Sequence, residues 1–450
     1  VSTTIIDGAY VVTVSGAEYP EGHIVATDGR ITRIGSGAAP VVPGAARIDG
    51  RGCLATPGLV NTHHHLYQWA TQGLYTDSSL FDWLVGSYEI WQGLDAASVA
   101  ETTTAGAAWL ALSGCSTLSD HHYIFPPGRG DIVAAEVEAA RRVGIRLDLA
   151  RGSMDRGRSG GGLPPDGLVE TARGALEATE AAIDAHHDPS AEAMTRLAVA
   201  PCSPFSVSRE LMTGAAELAR AKGVRLHTHL AETASEEEQC RAEFGCTPVE
   251  YAEKLGWLGS DVWLAHAVHL SDDAIARVAG TGTSIAHCPT SNARLGAGIC
   301  RVPELLAAGV NVGLGVDGPA SSELTPLSGE MHQAMLMARA RMGPQALSAR
   351  QALRLATLDG ARCLGRGTEL GSLETGKLAD VALWRVDGPG YDVIDDPVVA
   401  LVFGPPPPLE RLLVGGDTVV ERAELRTVSA DAAARAGRSA HRKLLQEVSR

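Results

Sequence analysis

Eight apolar segments that end in polar residues constrain this chain more than any other feature. Seven of them lie at 116–120, 145–150, 196–201, 224–229, 262–266, 283–287 and 310–317, and the eighth is the apolar lead-in to His63. Helical spacing fills intervals between them, for example at 96–112, 132–143, 209–221 and 272–279. Strands alternating with helices predict a parallel sheet. Eight such units close most economically into a (β/α)8 TIM barrel. A doubly wound sheet would gather its polar strand ends at one switch point, whereas here nearly every strand ends on them. The expected class is α/β.

The two ends of the chain have a different texture. Residues 4–6, 10–14, 23–26 and 31–34 read as short strands, with an Asp28-Gly29 turn that signals a hairpin. The same pattern returns at 379–384, 411–414 and 418–420. Neither end has enough strands to bury a sheet of its own. They are therefore expected to pair into one composite β domain, residues 1–56 with 371–450, flanking a barrel over 57–370. The stretch 430–448 has helical spacing and basic residues, which predicts a surface helix.

Composition narrows the partners. A net charge of −15 argues against a nucleic-acid polymer, whose phosphates need clustered Lys and Arg, but not against a free nucleobase. The eight cysteines show no C-x-x-C pair and read as buried free thiols of a reducing cytoplasm. The N-terminus has no secretory pattern, and no apolar run approaches the roughly 18 residues of a membrane span. A cytoplasmic homo-oligomer acting on a small molecule is the expectation. The apolar run Leu80-Phe81-Asp82-Trp83-Leu84 could line a pocket as a lid or bury a subunit contact, and the lid is favoured.

A barrel carries its active site at the C-terminal ends of its strands. Those ends here hold His63 and His65, Asp120-His121-His122, Arg151, Cys202-Ser203, His227-Thr228-His229, His266, His287 and Asp317. The richest is Pro57-Gly58-Leu59-Val60-Asn61-Thr62-His63-His64-His65, where Cys53-Leu54-Ala55 leads into a Pro-Gly turn. Alternation along a strand puts His63 and His65 on one face. Imidazoles converging this way suit a divalent metal, with His63, His65, His229 and Asp317 as candidate ligands. His227 shares a face with His229, so spacing alone does not choose between them. His229 is preferred because Glu232, three residues on, could reach a metal-bound water. Glu232 would then act as general acid and base, with His266 and Asp317 orienting the water and taking the second proton. Imidazole and carboxylate ligands suit both zinc and iron; one divalent ion, zinc ahead of iron, is expected.

Taken together, these motifs resemble the amidohydrolase superfamily, in its cytosine/guanine deaminase-like and chlorohydrolase-like branch. The resemblance runs over almost the whole chain. It rests on the 57–65 stretch, His229-Leu230-Ala231-Glu232, Ala265-His266-Ala267-Val268-His269-Leu270, Gly315-Val316-Asp317-Gly318, and Gly371-Ser372-Leu373-Glu374-Thr375-Gly376-Lys377-Leu378-Ala379-Asp380. It implies a distorted (β/α)8 barrel, a β-sandwich built from both chain ends, one zinc or iron, and hydrolytic deamination of a ring. It further implies that Gln68 hydrogen-bonds the substrate ring and that Ser321 supports Asp317. Two departures fall on loops at the barrel mouth. After Asp317 the chain reads Gly318-Pro319-Ala320-Ser321-Ser322-Glu323 where Ser-Ala-Ser-Asn-Asp is expected after the glycine, and Thr290 replaces a cysteine.

The leading expectation is a metal-dependent aminohydrolase acting on an oxidised purine or a related amino-substituted heterocycle. Gln68, with Cys202, Ser203 and His122, would read the polar edge of the ring. Hydrolysis of an s-triazine, a pterin or isocytosine in the same pocket is the first alternative. A metal-bound binding protein without turnover is remote, since both Glu232 and Asp317 are present.

Overall fold

In the computed structural model, which describes residues 2–448, eight parallel strands form the central sheet. They are β1 (Leu59–Asn61), β2 (Cys115–His122), β3 (Arg146–Ser153), β4 (Thr195–Pro201), β5 (Arg225–Leu230), β6 (Val262–His266), β7 (Ser284–His287) and β8 (Val312–Leu314), each hydrogen-bonded to the next in chain order. Thr62 N donates to Leu314 O at 2.9 Å and so draws the last strand to the first. The result is the nearly closed barrel that the strand–helix alternation predicts. Helices Ala96–Leu112 and Ile132–Val143 have the expected bounds because their ends are capped. Asp95 and Asp131 accept from the third amide of each, and Gly144 ends the second in a left-handed conformation.

Both chain ends meet in a second, mixed sheet of nine strands. Thr3–Val12 pairs antiparallel with Glu18–Thr27 and parallel with Ala46–Asp49 and Cys53–Pro57. Cys53–Pro57 in turn pairs antiparallel with Val381–Arg385, which leads to Leu409–Val414 and Asp417–Glu421. The apolar run before His63 therefore divides. Cys53–Pro57 serves the end sheet, and only Leu59–Asn61 serves the barrel. The crossing point is Gly58, where a Cβ would stand 2.4 Å from Ser116 Oγ, so only glycine lets the two sheets touch here.

The opposite, N-terminal end of the barrel is a floor of paired charges. Arg146, buried at the start of β3, donates to Asp380 through Nε at 2.9 Å and Nη2 at 3.1 Å. Arg366 and Arg196 share Glu369 at 3.0 and 2.7 Å. The closing helix, Ala430–Val448, lies on the surface and buries Ala433, Ala440 and Leu444. All eight cysteines are buried and free, and no helix among the described residues is long and apolar enough to cross a membrane.

Candidate active site

The mouth of the barrel is assembled from the segments just past the strand ends. At the end of β1, Asn61 Oδ1 accepts from His63 N at 3.3 Å and from Val316 N at 3.1 Å, tying the chain beyond β1 to the chain beyond β8. Each nearby ring has one nitrogen committed to a fixed acceptor. His227 Nδ1–H donates to Trp263 O at 2.8 Å, so its Nε2 is left to accept from His63 Nδ1–H, also at 2.8 Å. His65 Nδ1–H donates to His121 O at 2.6 Å, and His229 Nδ1–H to Cys202 O at 2.7 Å. His63, His65 and His229 thus each turn a bare Nε2 lone pair inward.

These lone pairs converge. His65 Nε2 lies 3.2 Å from His229 Nε2, and Asp317 Oδ1 lies 3.5 Å from His63 Nε2 and 3.3 Å from His65 Nε2. Burial keeps the rings neutral, holding His63 and His229 well below the ordinary imidazole range and His65 at about 4. The Asp317 carboxyl is held well below its usual range despite its burial, so it faces these rings as an anion. Four acceptors aimed at one point repel one another unless a cation takes their electron pairs. Three imidazoles and one carboxylate, with the far nitrogens fixed on carbonyls or another ring, are a donor set that fits a divalent transition metal. Strand spacing gives His227 and His229 the same face. Here His227 faces His63 rather than the centre.

Two further titratable groups border this point. Glu232 is buried, which pushes its carboxyl up to about 6. His266 Nδ1–H donates to Asn292 Oδ1 at 2.9 Å, leaving Nε2 3.8 Å from Glu232 Oε2 and 3.9 Å from Asp317 Oδ2. Burial lowers the His266 pKa, but the two carboxylates more than offset this and raise it. Ala231, His266, Ala267 and Asp317 all have left-handed backbones (φ 53°, 71°, 48° and 64°). Such strain in residues with a side chain persists only where the surroundings enforce it. It also explains why the predicted strand 310–317 stops at Leu314: the chain must turn to present Asp317.

The cavity above the four acceptors is lined by Gln68, Tyr123, Cys202, Phe205, Leu295 and the helix Leu80–Trp91, which contributes Leu80, Trp83 and Leu84. Three residues of the 80–84 run thus line the pocket. Gln68 is buried, and its Oε1 has no hydrogen-bond partner. A Cβ on Gly318 would stand 1.8 Å from that atom, so glycine beside Asp317 makes room for the amide. Ser321 Oγ–H donates to Asp317 Oδ2 at 3.2 Å.

Two residues expected at the ring edge lie elsewhere. Along β2, alternation turns His121 toward the mouth and sends Asp120 and His122 to the outer face. There His122 stands against Glu136 of the helix Ile132–Val143, at 2.9 Å. Ser203 does not line the cavity; its Oγ pairs with Ser206 Oγ at 2.9 Å. Conversely, three supporting residues escape the strand-end rule. Ser291 Oγ–H donates to Asp317 Oδ2 at 2.5 Å, and Asn292 holds His266. Both lie just beyond β7, on the helix Pro289–Arg294, four and five residues past the strand end. Glu236 accepts from Ala231 N at 2.8 Å and Glu232 N at 2.9 Å, clamping the strained turn that carries Glu232. Its signal was the capping-box spacing Thr233-x-x-Glu236, although the carboxylate reaches past Thr233 to the two preceding amides.

Residues 54–419 match the amidohydrolase family model. The 8-oxoguanine deaminase of Pseudomonas aeruginosa is 42% identical over 398 residues, 88% of each chain. An isoxanthopterin deaminase from an unknown prokaryotic organism is 36% identical, covering 92% of this chain and 90% of its own. The zinc complex of atrazine chlorohydrolase from Arthrobacter aurescens superposes with a TM-score of 0.93 at 32% identity, over 97% of this chain and all of that one. The chain belongs to the amidohydrolase family.

Proposed function

We propose that the protein is a zinc-dependent aminohydrolase that converts 8-oxoguanine to urate and ammonia. The observation that carries the reading is the placement of buried Glu232 and His266 beside the His63, His65, His229 and Asp317 acceptors, under a cavity whose free amide is Gln68. A divalent ion held by those four acceptors would lower the pKa of a water to about 7, making hydroxide available at neutral pH.

The chain's own groups supply the rest. Gln68, with Cys202 on the same cavity wall, orients the polar edge of the ring over the acceptors, and Leu80, Trp83 and Leu84 exclude bulk water. Oxygen adds to the ring carbon that bears the amino group. Glu232 takes the water's proton and delivers it to the adjacent ring nitrogen, as a carboxyl with a pKa of about 6 can do in both directions at neutral pH. His266 and Asp317 orient the attacking oxygen and pass its second proton to the departing amine, which leaves as ammonia. Ser291 and Ser321 keep Asp317 aimed by occupying its outer oxygen.

The oxidised purine is favoured by the likeness to the Pseudomonas deaminase. Pterin or s-triazine aminohydrolysis is the second reading, favoured by the relatives that carry those names. Ammonia release from 8-oxoguanine, guanine, isocytosine, isoxanthopterin and amino-triazines tests the choice. Highest kcat/KM on 8-oxoguanine is expected; preference for a pterin or triazine overturns the purine assignment but leaves the aminohydrolase one.

A further inference from the structure

On the outer face of β2, behind the mouth, lies a second group of groups without partners. Asp120, His122 and Glu136 are all buried, and each offers a donor atom within 4.8 Å of the others. Asp120 Oδ1 accepts from Leu66 N at 2.5 Å, but its Oδ2 has no hydrogen bond. Neither oxygen of Glu136 has one. His122 Nε2–H donates to Ile124 O at 2.9 Å, which leaves Nδ1 as a bare lone pair. That lone pair stands 2.9 Å from Glu136 Oε2, close but not aligned as a hydrogen bond.

As unprotonated acceptors these groups would repel one another in a dry core, so the cluster must hold either shared protons, toward which burial pushes Asp120 well up and Glu136 to about 8, or a cation. Arg151, a cation whose charge acts on His122, is spent on Glu170 through two hydrogen bonds of 2.8 and 2.9 Å. The ring also repeats the arrangement at the mouth, where one nitrogen is fixed on a backbone carbonyl and the other is left free, the usual setting of a metal-bound imidazole.

We propose that Asp120 Oδ2, His122 Nδ1 and the Glu136 carboxylate hold a second divalent cation of the zinc class, in a closed structural site distinct from the mouth. With Glu136 bidentate the donors number four, all from protein, as a structural zinc site requires. The ion's two positive charges neutralise both carboxylates. It staples β2 to the helix Ile132–Val143. Because the other oxygen of Asp120 holds the Leu66 amide, it also steadies the segment that follows His65. Being fully buried, it is taken up as the chain folds.

Anomalous scattering at the zinc edge, from crystals of the full chain produced with zinc, tests this directly. Two peaks are expected, one among His63, His65, His229 and Asp317 and one among Asp120, His122 and Glu136. Plasma mass spectrometry should give two ions per chain. Glu136→Gln should reduce that to one and remove only the second peak, with Asp120→Asn serving where the first variant does not fold. His65→Ala should remove only the mouth peak. A wild-type map with no peak between Asp120 and Glu136 overturns the proposal and assigns shared protons to the cluster. A missing mouth peak would instead count against the active-site reading alone.

Discussion

The two ends of the barrel bury charge in opposite ways. At the floor carboxylates meet guanidiniums. Asp380 takes two bonds from Arg146, and Glu369 is shared by Arg366 and Arg196. At the mouth acceptors face acceptors, and four residues hold left-handed backbones. The floor is arranged to lower the energy of the fold, whereas the mouth keeps unsatisfied groups in place for something else to satisfy. This is the division of labour expected between the two faces of such a barrel.

The sharpest way to break the contrast is to change one carboxylate at the mouth. Glu232→Gln should lower turnover by about a thousandfold or more, the scale on which a positioned acid–base group acts, with the metal content unchanged by mass spectrometry. Its effect on stability should have the opposite sign. The folded-state pKa of about 6 exceeds the ordinary value of 4.5, so the folded chain binds more protons between these values and its stability falls as pH rises through that window. Removing the charge should therefore stabilise the fold at pH 7 by about 2 kcal/mol, read as a raised Tm. Near-normal turnover would end the proton-transfer role.

The floor predicts the reverse. Arg146→Ala leaves Asp380 buried without its guanidinium and should cost about 3–5 kcal/mol of stability by denaturant unfolding, with kcat of the folded fraction unchanged. Loss of activity without loss of stability would erase the distinction between the two ends. A smaller effect should follow Ser291→Ala, which removes the short hydrogen bond to Asp317 Oδ2. Roughly a 10–100-fold loss in metal affinity or kcat/KM is expected, measured by chelator competition and steady-state assays. Last, the acid limb of kcat/KM should fall near pH 6, where Glu232 protonates, and Glu232→Gln should abolish that limb.

What could be read in the sequence follows the same division. Helices 96–112 and 132–143 were legible to the residue because their caps are local chemistry, written in Asp95, Asp131 and Gly144. The convergence of His63, His65, His229 and Asp317 was legible because a barrel brings its strand ends to one place. The fate of Cys53–Pro57 was not, since an apolar run does not say which sheet it joins. The place of His122 follows from the strand parity it shares with Asp120, which the polar character of a strand end does not reveal. Ser291, Asn292 and Glu236 act through a second residue, and such support leaves little trace in residue type. Gln68 and Ser321 were visible through resemblance alone.

The handover at Gly58 has a consequence for how the molecule is made. The strand that delivers the His63–His65 segment is held in register by a partner near the other terminus; Thr56 and Trp384, which share a hydrogen bond, are 328 positions apart. On the ribosome that edge of Cys53–Pro57 must wait, unpaired, until Val381–Arg385 has emerged. The catalytic centre is then among the last parts to be completed, so a truncated product would lack it even if much of the barrel had formed.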